Sequence, residues 1–368
     1  MGLEIRCVVS WDEAFFQDWC LLHARLKAKT VLAESIADFE LLLKNKADFP
    51  DEDWRAFSVH QDQKLVARGL VSINRQRPEI AKVGFLEFDD AAAAVDLLWQ
   101  HVESFARQKG ARLLKGPINF HFFVGYRWRT FSKAKPFYGE PQQPSYYLAH
   151  FQRLGMRPLK TWETFRIRFF RSKRNYGEIR KAKRPEQRLR IRGIDMNNFE
   201  QEMVVIHRLF HEAFSAMPEF ERISLEAFKK LYGSFRHIIS PLFAFILEDA
   251  GNPVAFCINF MDPQALLLQH ERLSKILPMK LVRLWTWLRI KLNFSRLLIM
   301  YVGRLPAPDG REYQGIQSLV AKKMTLPVAL SVPHLLICYT AEDSPALKSY
   351  APDQREVLSG YALFGKDL

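Results

Sequence analysis

The sequence predicts an α/β protein (α+β in some schemes) of two similar domains, and three observations support this. The chain has 368 residues, and a single hydrophobic core rarely grows beyond about 250–300 residues. Hydrophobic residues make up 48% of the composition, which is typical of a packed globular protein. Strand and helix patterns follow one another in a similar order in the two halves. A repeated order of elements indicates a duplicated architecture.

Hydrophobic spacing assigns the predicted elements of each half. In the first half they are Ile5–Val9, Phe15–Lys46, Ala56–Val59, Leu65–Ile73, Val83–Phe88, Ala91–Lys109 and Leu113–Gly116. In the second half they are Phe199–Ala216, Leu225–Phe235, Leu242–Leu247, Val254–Asn259, Leu297–Val302, Ile316–Met324 and His334–Tyr339. We therefore expect an N-terminal domain at 1–165, a basic connecting segment at 166–192 and a C-terminal domain at 193–368.

The charge of the chain favours anionic partners. The formal net charge is +14 and the isoelectric point is about 9.6, which suits nucleic acid, acidic lipid or a phosphate-bearing cofactor. Nucleic acid is the least favoured, because no stacking or groove-reading motif accompanies the charge. The segment 166–192 has twelve lysines and arginines against Glu178 and Glu186. It is interpreted as a solvated connecting helix, with a platform for phosphate groups as the alternative.

The cysteines and the N-terminus predict a cytoplasmic protein, with peripheral contact to the inner membrane left open. Cys7, Cys20, Cys257 and Cys338 are widely scattered and form no CxxC or zinc spacing, so reduced thiols and no metal site are expected. No secretory signal pattern opens the sequence, and no apolar run reaches about 18 residues.

Five sequence blocks carry a resemblance to a known family. They are Gly84–Asp90 before an alanine-rich helix, Gly116–Phe120, Pro144–Tyr147 with Leu154–Met156, Glu312–Ile316 and Ala341–Pro345. Together they resemble the acyl-CoA N-acyltransferase (GNAT) superfamily and, within it, the two-domain bacterial group often called YghO-like. The resemblance covers about 80–165 and 240–368. It implies tandem GNAT-like domains, each a mixed, splayed β-sheet flanked by helices, with acyl-CoA entering between two diverging strands.

The block Glu312–Ile316 resembles the phosphate-binding loop of the superfamily. A helix N-terminus directs backbone N–H groups at a pyrophosphate, and glycine permits close approach. One alignment places Tyr313 at a glycine position, whereas another keeps Gln314-Gly315; the cofactor-binding candidates are Gln314, Gly315 and Ile316. In the first half, Asp89-Asp90 would repel a pyrophosphate. The N-terminal domain is therefore expected to shape the acceptor cleft without binding the cofactor.

Amine acylation by a thioester needs a base for the ammonium, an oxyanion site and an acid for the leaving thiolate. Tyr350 is the candidate acid, because it lies seven residues after Asp343, as the family's Asn-x-x-Ala-x-x-x-Tyr pattern requires, and Ala346 fits too. A one-residue shift would place Ser344 at the Asn position and lose the tyrosine, and an ordinary packed tyrosine is the other alternative. Glu271 is the candidate base, with a surface pair as the alternative. The cleft candidates of the first domain are Asn119, His121, Tyr146 and Tyr147, where His121 can equally be a structural histidine.

The stretch 277–292 mixes large apolar residues, two tryptophans and basic residues. This composition is typical of a helix lying at a membrane interface, and it also suits a lid over a fatty acyl chain or a buried helix with snorkelling basic residues. The sequence therefore predicts an acyl-CoA-dependent N-acyltransferase that uses an amine acceptor and a lipid-like or long-chain substrate. The alternative is a catalytically degenerate tandem protein, a binding scaffold for a partner or an anionic surface.

Overall fold

The chain forms two compact units. The computed structural model describes residues 2–26, 36–44, 48–167, 188–264, 273–274, 276–282, 284–285, 296–307, 310, 313, 316, 319–320, 323, 335–344 and 355–368. The first unit comprises Met1–Ser132, Gly139–Thr161 and Gly360–Leu368, and the second comprises Lys133–Tyr138 and Trp162–Ser359. Each unit therefore includes a short segment from the opposite half of the chain.

The described residues of the first unit form a mixed sheet and four helices. Its strands are β1 (Leu3–Val8), β2 (Glu52–Gln61), β3 (Lys64–Asn74), β4 (Ile80–Phe88), β5 (Leu113–Gly116) and β6 (Trp128–Ser132), and its helices are α1 (Glu13–Leu26), α2 (Ile36–Leu43), α3 (Ala92–Gln108) and α4 (Tyr146–Arg153). Strands β1 to β4 pair antiparallel in sequence order, and β4 pairs parallel with β5. The end of the last strand of the chain, Arg355–Asp367, pairs with β5.

Helix α3 covers the sheet of the first unit because its apolar residues recur at helical spacing. Val95, Leu98 and Val102 are at most 1% exposed and belong to the same core cluster as residues of β2, β3 and β4. Gly110 follows the helix with a φ of 87°, a conformation that glycine adopts without strain. The helix predicted at Ala91–Lys109 is confirmed.

The second unit repeats this order of elements. Its described elements are β7 (Arg157–Ile167, shared with the first unit), β8 (Leu189–Gly193), α5 (Phe199–Phe214), α6 (Leu225–Tyr232), a 3-10 turn (Gly233–His237), β9 (Phe245–Asp249), β10 (Asn252–Met261), β11 (Leu297–Arg304), β12 (Leu335–Ala341) and β13 (Arg355–Asp367, completed in the first unit). Strands β8 to β11 pair antiparallel, β11 pairs parallel with β12, and β12 pairs antiparallel with β7. The duplicated architecture expected from the sequence is confirmed.

The described ends of the basic segment correct one expectation. Leu189–Gly193 is a strand, and Arg166 lies in β7, so neither end forms part of a connecting helix. In β8, arginines alternate with Leu189 and Ile191, which is the period of a strand with one face toward the core. The middle of the segment, 168–187, lies outside the described residues. None of the described helices is long and apolar enough to cross a bilayer.

Candidate functional site

The second unit contains two parallel strands that separate. Strands β11 and β12 pair at Leu297–Leu335, Leu298–Leu336 and Ile299–Ile337. No further pair joins these two strands, both of which are described to their ends at Arg304 and Ala341. The outer halves of the two strands therefore leave a gap in the sheet. The described peptide groups on its two sides do not pair with each other across the gap.

Both strands are irregular where they separate. The register between β10 and β11 shifts between Ile258 and Asn259, which leaves Met300 outside the ladder. Across the gap, the pairing of β12 with β7 shifts after Ile337, and Tyr339 has a φ of 53°. A β-bulge turns a strand and leaves its extra residue unpaired. The two bulges therefore account for the separation.

An apolar pocket adjoins the bulge of β11. Its cavity volume is about 30 Å³, which is well below the range of small-molecule sites. Helices α5 and α6 form one wall, the 3-10 turn closes an end, and β10 and β11 form the other wall. The lining residues are Met203, Ile206, Phe210, Phe228, Tyr232, Phe235, Ile239, Ile258, Phe260 and Tyr301. Such a lining favours an apolar group.

The segment Lys133–Tyr138 contributes to the second unit close to this pocket. Phe137 is 2% exposed and packs in one cluster with Phe260, Leu298 and Cys338. The backbone N–H of Tyr138 donates to Oδ1 of Asp262 at 3.0 Å. Residues from the first half of the sequence thus help to build the inner end of the gap.

The chain after β11 is anchored at a tyrosine. Tyr313 is 4% exposed, and its hydroxyl donates to Oδ2 of Asp249 at 3.0 Å. Ile316 packs against the same cluster. These two residues flank Gln314 and Gly315, which lie outside the described residues. Because Asp249 accepts from its hydroxyl, Tyr313 acts as a structural anchor. The assignment of Gln314, Gly315 and Ile316 to a phosphate loop stays a prediction.

The corresponding gap in the first unit is filled by its own chain. Strands β4 and β5 pair from Ile80 to Lys82, after which the N–H of Ile118 donates to the carbonyl of Val83 at 2.8 Å. The N–H of Phe85, a residue with a φ of 49°, donates to Oδ1 of Asn119 at 2.8 Å. The predicted cleft residue Asn119 therefore satisfies the irregular part of β4.

The C-terminal end of β4 is covered by α4. The hydroxyl of Tyr147 donates to Oε2 of Glu87 and accepts from the N–H of Phe88, both at 2.8 Å. The hydroxyl of Tyr146 donates to the carbonyl of Phe88 at 2.7 Å. Burial raises the pKa of Tyr146 to about 12, and it raises the pKa of Tyr147 well above its ordinary value; nearby carboxylates act in the same direction. Both phenols therefore stay protonated and act as donors.

Tyr147→Phe should lower the free energy of unfolding by ~2–3 kcal/mol, because it removes a donor to the buried Glu87 carboxylate and an acceptor for Phe88. Tyr146→Phe removes one neutral hydrogen bond and should cost ~1 kcal/mol. Urea unfolding of both variants measures the difference. Equal losses would contradict the central position of Tyr147.

The structure brings Asn119, Tyr146 and Tyr147 together along the end of β4; the N–H of His121 donates to the carbonyl of Asn119 at 2.7 Å, but its ring packs away from the tyrosines. His121 is 2% exposed, its ring stands 5.3 Å from that of Phe49, and its Nδ1 accepts from the N–H of Phe123 at 3.3 Å. A role of these four side chains in an acceptor cleft stays a prediction. The catalytic candidates Tyr350 and Glu271 lie outside the described residues.

A buried cysteine lies on β10 next to the register shift. Cys257 is 3% exposed, and burial raises the pKa of its thiol to about 11 although Asn259 donates to the sulfur at 3.2 Å. A nucleophilic cysteine acts as its thiolate. At neutral pH this thiol is therefore unsuited to carry an acyl group.

Two histidines stand one turn apart on α5, next to the pocket wall. The ring centroids of His207 and His211 are 4.1 Å apart. Nε2 of His211 accepts from the N–H of Ile223 at 3.4 Å, which requires this nitrogen to be unprotonated. Burial lowers the pKa of His211 to about 4, and the charges of His207 and Arg222 act in the same direction.

This lowered pKa predicts acid sensitivity. Between pH ~6.5 and ~4, His211 is protonated in the unfolded chain but stays neutral in the folded protein. The full free energy of unfolding is therefore present above pH ~6.5 and falls on acidification. We expect a loss of ~2 kcal/mol, allowing for partial solvent screening. Urea unfolding at a series of pH values measures it, and His211→Gln should flatten the profile over this window. An unchanged profile in the variant would contradict the assignment.

Comparison with solved structures identifies the architecture. A tandem GNAT protein from the clavulanic acid biosynthesis pathway, solved without acetyl-CoA, has a TM-score of 0.53 and 12% identity, over 100% of this chain and 98% of that chain. A conserved protein of unknown function from Enterococcus faecalis V583, described as a probable N-acyltransferase, has a TM-score of 0.59 and 10% identity, over 100% and 73%. A GCN5-related N-acetyltransferase from Anabaena variabilis ATCC 29413 has a TM-score of 0.54 and 8% identity, over 99% and 73%.

These similarities show that the chain has the tandem GNAT fold, as the sequence blocks predicted. No family model and no curated protein matches the sequence. The narrower YghO-like group stays a prediction.

Proposed function

We propose that the protein is an acyl-CoA-dependent N-acyltransferase whose acyl-CoA site lies in the second unit. The observation that carries this proposal is the gap between β11 and β12, which opens at a bulge beside an apolar pocket. The tandem GNAT fold supports it, because the resemblance implies acyl-CoA between two diverging strands.

The gap suits the pantetheine arm of CoA. This arm is a narrow chain with two amide groups, and an extended chain that enters a sheet is held by main-chain hydrogen bonds. Beyond Ile299 and Ile337 the two strands do not pair with each other. In the proposal, peptide groups along this gap hold the amide groups of the arm.

The pocket supports the long-chain part of the proposal. It is lined by aliphatic and aromatic side chains of α5, α6, β10 and β11, and Tyr301 lies one residue beyond the bulged Met300. An acyl chain that enters at the bulge gains about 0.8 kcal/mol for each CH₂ group that leaves water. We infer that an acyl group longer than acetyl enters this pocket, whose lining side chains must move apart to admit it.

The segment after β11 is the candidate pyrophosphate site. In the proposal, the N–H groups around Gln314 and Gly315 hold the two phosphates at the start of the following helix. Tyr313 and Ile316, which pack in one cluster, fix both flanks of the loop. A glycine at 315 allows the backbone to approach the phosphates closely.

The reaction transfers the acyl group from sulfur to nitrogen. A neutral amine attacks the thioester carbonyl, the C–N bond forms, and the C–S bond breaks from the tetrahedral intermediate. In the proposal, a backbone N–H at the Met300 bulge stabilises the oxyanion, Glu271 accepts the amine proton, and Tyr350 donates a proton to the leaving CoA thiolate. The products are an amide and CoA.

The first unit is proposed not to bind the cofactor. Ile118 and Asn119 occupy the gap beside β4, and Tyr146 and Tyr147 cover its end. Asp89 pairs with Arg25 at 2.7 Å in front of α3, where a pyrophosphate would meet a carboxylate. In the proposal, the first unit is therefore a scaffold without a cofactor. If the second unit also fails to bind CoA, the whole protein is a binding scaffold rather than a transferase.

Calorimetry with CoA tests the proposal. Wild-type protein should bind CoA, whereas Gly315→Val should abolish binding without lowering the thermal midpoint. Gly233→Val is the matched control, because nothing lies within 4 Å of a Cβ added at that position. A wild type that shows no binding at ~1 mM CoA, where a complex worth about 4 kcal/mol would be detected, would overturn the transferase assignment.

A further inference from the structure

Exposed apolar side chains concentrate in one stretch of the second unit. Among the described residues, five large hydrophobic side chains between positions 276 and 284 face solvent: Ile276, Leu277, Met279, Leu281 and Leu284. Ile276 is 78% exposed, which is the highest value among the exposed large hydrophobics of the described chain. Clustered apolar exposure marks an interaction surface, whereas isolated exposed leucines are ordinary.

The stretch is locally ordered and attached to the unit on one side. The N–H groups of Leu281 and Val282 both approach the carbonyl of Pro278, at 3.0 and 3.2 Å, and proline suits the first turn of a helix. Val282 is 0% exposed, whereas Leu281 is 56% exposed. One side of the turn therefore packs inward while the leucines point to solvent.

The positive charge of this stretch favours an anionic partner over a second copy of the chain. Residues 272–291 contain six lysines and arginines (Arg272, Lys275, Lys280, Arg283, Arg289, Lys291) and no aspartate or glutamate. A two-fold interface between copies would place this basic surface against itself, which like-charge repulsion opposes. Apolar residues, tryptophans and basic residues together are instead typical of chains that lie at the headgroup level of anionic bilayers.

We propose that the exposed apolar surface formed by Ile276, Leu277, Met279, Leu281 and Leu284 docks the protein on a bilayer that contains anionic lipids. The exposed apolar side chains enter the boundary between headgroups and acyl chains, and the positive charge of the sequence around them attracts the lipid phosphates. The net charge of +14 adds long-range attraction to the same surface. The stretch joins β10 to β11, the two strands that form one wall of the apolar pocket.

Co-sedimentation with vesicles tests this proposal. The full-length protein should bind vesicles of equal parts phosphatidylglycerol and phosphatidylcholine, bind pure phosphatidylcholine much more weakly, and be released by salt. The triple variant Ile276→Ser, Leu281→Ser, Leu284→Ser should lower the partition coefficient at least about tenfold. The matched control replaces three comparably exposed residues elsewhere, Val9, Leu21 and Leu242, by serine and should bind like the wild type.

Several outcomes would overturn the proposal. One is equal partition of both triple variants and the wild type, and another is equal binding to neutral and anionic vesicles. Sedimentation velocity without lipid supplies a third. If the wild type and the control variant are dimers and the variant at 276, 281 and 284 is a monomer, the surface binds a second copy of the chain. If that variant loses affinity for decanoyl-CoA without lipid and keeps wild-type partition, the stretch is a lid over the acyl chain. Thermal melts confirm that each variant is folded.

Discussion

Ile258→Trp is expected to weaken the binding of decanoyl-CoA about 50-fold while leaving the affinity for acetyl-CoA within about threefold of the wild type. Ile258 is 6% exposed and lines the apolar pocket on β10, where it pairs with Tyr301. The indole should fill space that the proposal assigns to the acyl chain. Excluding three CH₂ groups at about 0.8 kcal/mol each costs ~2.4 kcal/mol, which corresponds to the expected loss. Calorimetry with the two thioesters measures it.

Two further variants separate a blocked pocket from a damaged fold. Ile258→Val removes one CH₂ group and should keep both affinities near the wild-type values. Met203→Trp adds an indole from α5 on the opposite wall and should repeat the selective loss. If decanoyl-CoA binds the tryptophan variants as tightly as the wild type, the acyl chain does not occupy this pocket.

Gly84→Ala is expected to lower the free energy of unfolding by about 3 kcal/mol or more. A Cβ at position 84 would lie 2.7 Å from Cα of Asn119 and nearer still to the carbonyl of Ile118. These are backbone atoms of the segment that fills the gap beside β4, so the chain must move as a whole. For a unit of this size the thermal midpoint should fall by roughly 6–12 °C.

Gly125→Ala is the matched control for Gly84. An added Cβ there has the Asn119 amide nitrogen as its nearest neighbour, at an ordinary 3.5 Å, so the stability should change by no more than ~0.5 kcal/mol. Calorimetric melts of the two variants make the comparison. Equal midpoints would show that residues 116–120 do not pack against β4 and would reopen the first unit as a cofactor site.

The regular elements were predictable because their signals are local. The strands β2, β3 and β4 and helix α3 follow from alternation, helical spacing and the glycine at position 110. Strand β8 was missed because its outward-facing residues are arginines, which resembled a solvated basic run. The pattern of its inward-facing residues, Leu189 and Ile191, could have revealed it.

The site was only partly predictable, because contacts distant in sequence determine it. The sequence blocks directed attention to Asn119 and Tyr147 as cleft residues, but they could not show that these side chains bond to β4 partners 34 and about 60 positions away. The residues that line the pocket are spread from Met203 to Tyr301, so no local sequence pattern predicts that they meet. The exchange of 133–138 into the second unit depends likewise on packing alone.

A crystal structure of the protein with decanoyl-CoA tests the central proposal most directly. The proposal predicts difference density for the pantetheine arm between β11 and β12, with the phosphates at Gln314-Gly315 and the acyl chain among Ile258, Phe260 and Tyr301. Density between β4 and β5 of the first unit, or a gap between β11 and β12 that stays empty at saturating ligand, would contradict it.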